Sequence, residues 1–383
     1  MKIMLLASSQ VSIPPDKGGA IEAIVYELAN FLSSENEVYV ISRRSFTGSK
    51  ASYIVVNSEI RKNKLAAIVE DFLYGIKCIK EVRKIKPDIL HMHTTFTSFP
   101  IALFKKFLPA GTRIVYTSHS PAWTVPDNEI GIINKIFNCL EAFIVRRSDM
   151  ATAVSESLRD GMIKRNVSDK SKIVTIENFT RPDVFSNKYG KKWKDERKIK
   201  GPVVLFVGKL TKTKGIPYLL RSVKEVKEKI PDVMYVLVGS LEHEQKLGYN
   251  PWMKIVEEDK IKNNVYFAGS VPVAEIPRIY SSADLFVLPS LREGMPLVVM
   301  EALSTELPIV TTKVSGTKEV VNSRCAIFVR RKDSKDIAKA VIRILSDKKL
   351  AKRMSLESKK ISKKFEKNNV LKKYLDLYYA IKK

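Results

Sequence analysis

The chain has 383 residues, of which 45% are hydrophobic and 28% charged, and a formal net charge of +26. This length exceeds one typical core and predicts two domains, while the composition excludes a disordered chain and a membrane-spanning helix, which needs roughly 20 apolar residues in a row. The excess of Lys and Arg implies an anionic partner (nucleic acid, anionic lipid or a phosphorylated substrate) or else the composition of the host. In chain order, residues 2–7 read as a buried first strand. Pro14-Pro15-Asp16-Lys17-Gly18-Gly19 stands where a signal peptide needs a small-residue cleavage site. A glycine-containing loop leads to a helix over Ala20–Leu32, whose apolar positions follow helical spacing. Residues 38–41 form a second strand. An amphipathic helix over Lys64–Ile85 ends before Pro87, and residues 88–93, 113–117 and 150–154 are further strands. Strands separated by helices imply a parallel, doubly wound sheet.

Residues 187–200 are rich in lysine and nearly devoid of apolar side chains, and read as a basic linker. A second set of strands follows at 203–207, 234–238, 265–267, 285–288 and 309–311. The last 50 or so residues are helical by pattern and strongly basic, with Tyr374, Leu375, Leu377, Tyr378 and Ile381 as a packing face. The expected domains are therefore 1–186 and 201–365. Two such open sheets place a ligand at the strand C-termini, facing a cleft. Cys78, Cys139 and Cys325 form no CxxC pair and no zinc spacing, which points to a reducing, cytoplasmic setting.

Two passages carry chemistry. In Pro289-Ser290-Leu291-Arg292-Glu293-Gly294-Met295-Pro296-Leu297, a strand gives way to a helix through a glycine turn. Amides at such a helix start suit an anion or sugar hydroxyls. Glu293 sits at the mouth. Glu301 lies about two turns on among apolar neighbours, where it needs a partner that a ribose diol would supply. A first-turn carboxylate and a surface glutamate fit the same spacing. In Gly208-Lys209-Leu210-Thr211-Lys212-Thr213-Lys214-Gly215, Lys209 and Lys214 stand on a glycine-framed loop after a strand, where two ammonium groups can neutralise a diphosphate. Two surface lysines in a lysine-rich chain fit as well. The loop is not a Walker motif.

Gly-Lys-Leu…Lys-Gly together with Glu293-Gly-Met-Pro-Leu-Val-Val-Met-Glu301 resembles the family-four retaining glycosyltransferases of group 1, whose E-x7-E signature these two glutamates match. The resemblance extends through residues 264–269, 280–284 and 308–320. In the N-terminal half it is carried by Gly18-Gly19-Ala20, His91-Met92-His93, Thr117-Ser118-His119 and residues 153–157. It implies an α/β GT-B fold: two Rossmann-like domains facing a cleft, with the terminal helix (about 366–383) crossing back to the N-terminal domain. It also implies a hexosyltransferase-type enzyme that takes its sugar from a UDP-, GDP- or ADP-sugar donor. Lys209 and Lys214 would contact the diphosphate, after Gly208. Glu301 would hold the ribose. Glu293 and the Gly294–Leu297 turn, through the amides of Gly294, Met295 and Leu297 with Pro296 shaping it, would bind the donor sugar. Gly19 would let backbone approach the diphosphate, and His119 would lie near the anomeric carbon. Front-face attack, with the leaving phosphate deprotonating the acceptor hydroxyl, is the mechanism implied. No cofactor or metal is expected. The chain departs from the family pattern at Glu306, Ser315-Gly316, Glu177-Asn178-Phe179 and Ser240-Leu241.

His91 and His93 point to one face of a strand and would suit a metal, but no acidic or Cys partner is evident, so a structural or cleft-lining role is expected. A sugar-nucleotide epimerase or a phosphorylase on the same scaffold is one alternative. A nucleic-acid-binding protein is another, although no zinc finger, RNP-like run or aromatic–basic interleaving is present. The acceptor is expected to be a glycan or lipid-linked. Residues 101–108, Arg61-Lys62-Asn63-Lys64-Leu65, Phe72, Leu73 and Tyr74 mix basic with large apolar side chains. They suggest peripheral attachment to an anionic membrane, or simply apolar residues facing the sheet and lysines facing water.

Overall fold

The computed structural model describes residues 1–61, 63–125, 131–241 and 250–382. The chain forms two compact units, one of residues 1–177 with 368–383 and one of residues 178–367. Unit 1 carries β1 (Lys2–Leu6), α1 (Ala20–Leu32), β2 (Glu37–Ser42), β3 (Ser52–Val55), α2 (Lys64–Ile85), β4 (Ile89–Met92), α3 (Thr95–Leu103), β5 (Arg113–Ser118), α4 (Ile132–Arg147), β6 (Met150–Ala153), α5 (Glu156–Lys164) and β7 (Ile173–Thr175). Unit 2 carries α6 (Lys192–Glu196), β8 (Val203–Val207), α7 (Ile216–Lys229), β9 (Met234–Val238), α8 (Met253–Glu258), β10 (Val265–Gly269), α9 (Ile276–Ser282), β11 (Leu285–Leu288), α10 (Leu297–Ser304), β12 (Ile309–Thr312), α11 (Ser315–Val320), β13 (Ala326–Val329), α12 (Ser334–Ser346) and α13 (Lys348–Ser362). Then α14 (Lys367–Lys382) returns to complete unit 1, as the sequence predicts.

Both sheets are parallel throughout, in the orders β3-β2-β1-β4-β5-β6-β7 and β10-β9-β8-β11-β12-β13. In each, the chain winds outward from a central strand and then crosses to that strand's other side. The β1/β4 and β8/β11 gaps are therefore the points where ligands bind in such sheets. Central strands are covered on both faces and read as unbroken apolar runs: all five residues of β8 are buried. The strands that sequence reading passes over, β3, β7 and β13, are all at sheet edges, where part of each strand is solvated and the apolar run is broken.

Two expectations are corrected. Residues 187–200 are not a linker. They form part of unit 2, with Trp193 buried on α6, the Arg197 guanidinium 4.1 Å above its ring, and Lys191 donating to the Ala283 carbonyl. Lysine and arginine stems cover apolar surface while their charged heads stay wet, so composition alone misleads there. The unit boundary falls after Glu177 rather than at 186, because residues 178–181 bond to Met295, Phe365 and Glu301. In residues 101–108, Ile101 and Ala102 are buried and Lys105 pairs with Asp149 at 3.3 Å. Tyr74 is buried too. Lys62, Lys383 and the side chain of Lys64 lie outside the described residues.

Candidate functional site

At the β8/β11 crossing point, β8 ends at Gly208, whose N–H donates to the Val238 carbonyl at 2.9 Å. The following loop folds on itself: the Lys214 N–H donates to Thr211 Oγ1 at 3.3 Å, and the Thr211 and Thr213 hydroxyls lie 2.8 Å apart. The loop closes at Gly215, with φ of +78°, where a Cβ would stand 2.1 Å from the Pro289 carbonyl oxygen. Only glycine permits that approach. The Leu291 N–H donates to the Thr213 carbonyl at 2.8 Å. The loops leaving β8 and β11 are thus joined backbone to backbone. That junction brings Lys214 Nζ to 2.7 Å from Glu293 Oε1. Glu293 is buried, whereas the Lys214 side chain keeps 28% of its surface. An ammonium has three N–H donors, so the pair leaves two for another anion.

The turn after Glu293 is held from two sides. A Cβ on Gly316, at the start of α11, would lie 2.2 Å from the Gly294 carbonyl oxygen, and Ser315 Oγ donates to the Glu293 carbonyl at 3.4 Å. Asn178 Nδ2 donates to the Met295 carbonyl at 2.6 Å, and its N–H donates to Met295 Sδ at 3.2 Å. Pro296 precedes α10 as its cap rather than lying inside the first turn. No side chain caps this helix start, and the amides of Leu297 and the following turn form the positive end of its dipole. Further along α10, Glu301 Oε1 accepts from Arg181 Nη2 at 2.8 Å, with both side chains nearly covered. Burial pushes the Glu301 carboxyl above its usual range, against Arg181 and Tyr280, which pull it down. Lys209 is exposed and makes no ion pair among the described residues.

In unit 1, Gly19 caps α1 with φ of +91°. His91, from β4, has Nδ1 2.6 Å from the Tyr378 hydroxyl and Nε2 2.7 Å from Thr117 Oγ1. Both ring nitrogens are engaged, which gives His91 the structural role expected of it. His93 Nδ1 lies 3.3 Å from His119 Nε2 with the rings stacked, while His93 Nε2 is buried with no hydrogen-bond partner among the described residues. Burial lowers all three imidazoles, His91 to about 3 and His119 to about 4, so they are neutral near pH 7.

The structure brings Lys214 and Glu293 into contact. Glu301 pairs with Arg181, two turns further along α10. Sequence reading gave no role to Arg181 or Asn178. The only signal for Arg181 was that Glu301, amid apolar neighbours, required a partner.

The family model described as "Glycosyl transferases group 1" matches residues 190–361, and that described as "Glycosyltransferase Family 4" matches residues 18–184. The UDP-Gal:alpha-D-GlcNAc-diphosphoundecaprenol alpha-1,3-galactosyltransferase of Escherichia coli is 27% identical over 289 residues, covering 74% of this chain and 72% of the relative. Among solved structures, the sucrose-phosphate synthase of Thermosynechococcus elongatus aligns with a TM-score of 0.82 at 18% identity, covering 99% of this chain and 98% of that one. Anabaena HepE, solved in complex with UDP and glucose, aligns with a TM-score of 0.81 at 17% identity, covering 99% of this chain and all of that one.

Proposed function

We propose, from the premise that this chain belongs to the glycosyltransferases of group 1 and family 4 and has the GT-B fold, that it moves a sugar from a UDP-sugar to a lipid-linked acceptor with retention of anomeric configuration. The observation that carries this reading is the joined pair of loops at the β8/β11 crossing, with Lys214 and Glu293 in contact between them. In this reading Lys209 and the free donors of Lys214 meet the diphosphate, beside the amides that follow Gly208. Glu301 turns one oxygen to Arg181 and offers the other to the ribose. Glu293 and the Gly294–Leu297 turn meet the sugar, where Met295 and Pro296 supply shape rather than charge. Gly19, left-handed at the start of α1, lets the backbone approach the diphosphate, and the neutral imidazole of His119 serves the sugar hydroxyls. The bond from the anomeric carbon to the phosphate oxygen breaks, the acceptor oxygen bonds to the same face, and its proton passes to the departing phosphate. Each lysine contributes on the order of 2–4 kcal/mol as charge develops on that phosphate. UDP as the nucleotide is supported by the complex of HepE with UDP and glucose. The lipid-linked acceptor is supported by the diphosphoundecaprenol substrate named for the Escherichia coli relative, and such an acceptor would put the site of action at a membrane surface.

The test is a thermal-shift and calorimetric panel of UDP-, GDP- and ADP-sugars, followed by analysis of the transferred product. A ligand at about 100 times its Kd adds roughly 2.7 kcal/mol to stability. Lys209→Ala and Lys214→Ala are each expected to lower turnover by about 100-fold with the melting temperature unchanged. Near-normal turnover in both variants rejects the assignment. A product of inverted configuration rejects retention alone. Release of UDP without an acceptor, accompanied by a changed sugar, favours epimerisation instead.

A further inference from the structure

We propose, on the reading that the Gly294–Leu297 turn meets the donor sugar, that Asn178 is a positioning residue: it aims that turn, and so governs the hold on the sugar separately from the hold on the nucleotide. The need for such a residue lies in the chain itself. Pro296 has no N–H, so the peptide between Met295 and Pro296 carries a single hydrogen-bonding group, the Met295 carbonyl. The proline ring also disfavours the helical region for Met295, so the turn stays outside α10 and its helix bonds. Among the described residues, the partner of that carbonyl is Asn178.

One residue holds Met295 twice. Asn178 Nδ2 donates to the Met295 carbonyl at 2.6 Å and the Asn178 N–H donates to Met295 Sδ at 3.2 Å, so main chain and side chain are pinned together. Asn178 and Met295 are both buried, and a hydrogen bond shielded from water is stronger and costlier to lose. The ring of Pro296 locks its own φ. Fixing the Met295–Pro296 peptide plane therefore leaves little freedom to the Met295 and Leu297 amides on either side of it, the N–H groups that meet the sugar.

Asn178 can aim the turn because it is itself held. Two residues on, the buried Thr180 donates through its N–H to the Phe365 carbonyl at 2.7 Å and through Oγ1 to the Ser362 carbonyl at 2.8 Å. Arg181 follows, bonded to Glu301 at 2.8 Å. Residues 178–181 are thus a strap fixed at its middle, with the sugar-meeting turn gripped at one end and the ribose-meeting carboxylate at the other. The two grips are separate bonds to parts of the site that face separate parts of the donor. Asn178 serves the sugar and Arg181 the nucleotide. The bond requires an amide at 178. An Asp there has nearly the same shape but sets carboxylate lone pairs against the Met295 carbonyl, and a residue without a donor leaves that carbonyl unpaired.

The test is calorimetry on the full chain with UDP and with the UDP-sugar that binds most tightly in the thermal-shift panel, for wild type, Asn178→Ala and Asn178→Asp. Asn178→Ala is expected to weaken the UDP-sugar by about 10-fold and Asn178→Asp by about 100-fold, while the affinity for UDP changes by less than about 2-fold. Turnover at saturating donor is expected to fall in the same order. Arg181→Met supplies the contrast, since it is expected to weaken UDP and the UDP-sugar alike. If Asn178→Asp does not fold, Asn178→Ala reads the same split alone. Equal weakening of UDP and the UDP-sugar by the Asn178 variants overturns the proposal and leaves Asn178 a structural residue of unit 2. Wild-type affinity for both ligands overturns it as well. A wild-type chain that binds neither UDP nor a UDP-sugar removes the donor reading and this proposal together.

Discussion

Glu301 shows how one residue can be tuned by two opposed effects. Burial raises its carboxyl from the usual 4.5, while Arg181 and Tyr280 pull it back. Arg181 itself is held over the Phe185 ring at 4.9 Å. Arg181→Met keeps much of the stem and removes the charge, so the Glu301 carboxyl rises further. A carboxyl raised in the folded state favours its protonated form. Its contribution is therefore intact below the unfolded value near 4.5 and is lost as pH climbs through the folded value. The cost of Arg181→Met is thus expected to be small near pH 4 and to reach about 3 kcal/mol at neutral pH, measured by urea unfolding. Donor binding should weaken with it. A cost independent of pH would show that Arg181 acts by packing alone. Lys209, Lys214, Glu293 and Glu301 were legible in the sequence because each stands on a glycine-punctuated loop or a short helix after a strand. Arg181 was not, because the two partners lie 120 residues apart and no local pattern announces a long-range ion pair.

Between elements, the site depends on two loops that touch through main chain. The contact at Gly215 differs from ordinary left-handed glycines. Gly111 also has positive φ, at +91°, but a Cβ there would meet nothing within 4 Å. Gly111→Ala therefore costs only the left-handed backbone penalty, about 1–2 kcal/mol. Gly215→Ala carries that penalty and in addition forces the Pro289 carbonyl away, separating Lys214 from Glu293. Its expected signature is a loss of turnover on the order of 100-fold, because displacements near 1 Å at a reacting centre have that effect. Steady-state assays of the two variants at matched stability check this, and equal turnover would mean that the loop junction does not position the site. At the Ser315-Gly316 departure from the family pattern, the close approach to the Gly294 carbonyl falls on Gly316, so Ser315 does not obstruct the turn. The Asn178 side chain, similarly, makes its bond to Met295 whatever flanks it, so the atypical Glu177 and Phe179 do not disturb the turn. The alternation of central strands and helices was readable from periodicity. The edge strands were not, since partial solvation breaks their apolar runs.

Across the whole molecule, titration divides the two units. Three of the four histidines lie in unit 1, His91 and His93 buried and His119 half-buried, all neutral near pH 7, and His243 lies outside the described residues. α14 secures the deepest of them: Tyr378, fully buried, stands 2.6 Å from His91 Nδ1, and Thr117 closes the other side. This return of the last helix to the first unit follows the family pattern, and the basic excess of the C-terminal stretch lies on the solvated side of helices whose Val370, Leu371, Tyr374 and Tyr378 are buried. A histidine lowered from 6.5 to about 3 contributes stability that is whole above 6.5 and is lost as pH falls toward 3, because the unfolded chain takes up a proton the folded one refuses. Each such imidazole adds a slope of about 1.4 kcal/mol per pH unit in that window. Glu141 and Asp71, raised by burial in the same unit, titrate in the opposite sense and offset part of it. His91→Gln retains an amide able to meet Tyr378 and Thr117 but cannot titrate. It is expected to lower stability at neutral pH and to flatten the acid limb by one proton's slope. Hydrogen exchange of β4 and β5 peptides, followed from pH 7 to about 4.5, reads this directly, with β8 and β11 of unit 2 as the internal reference. Parallel curves for wild type and His91→Gln would mean that His91 is protonated in the folded chain and that its burial has been misjudged.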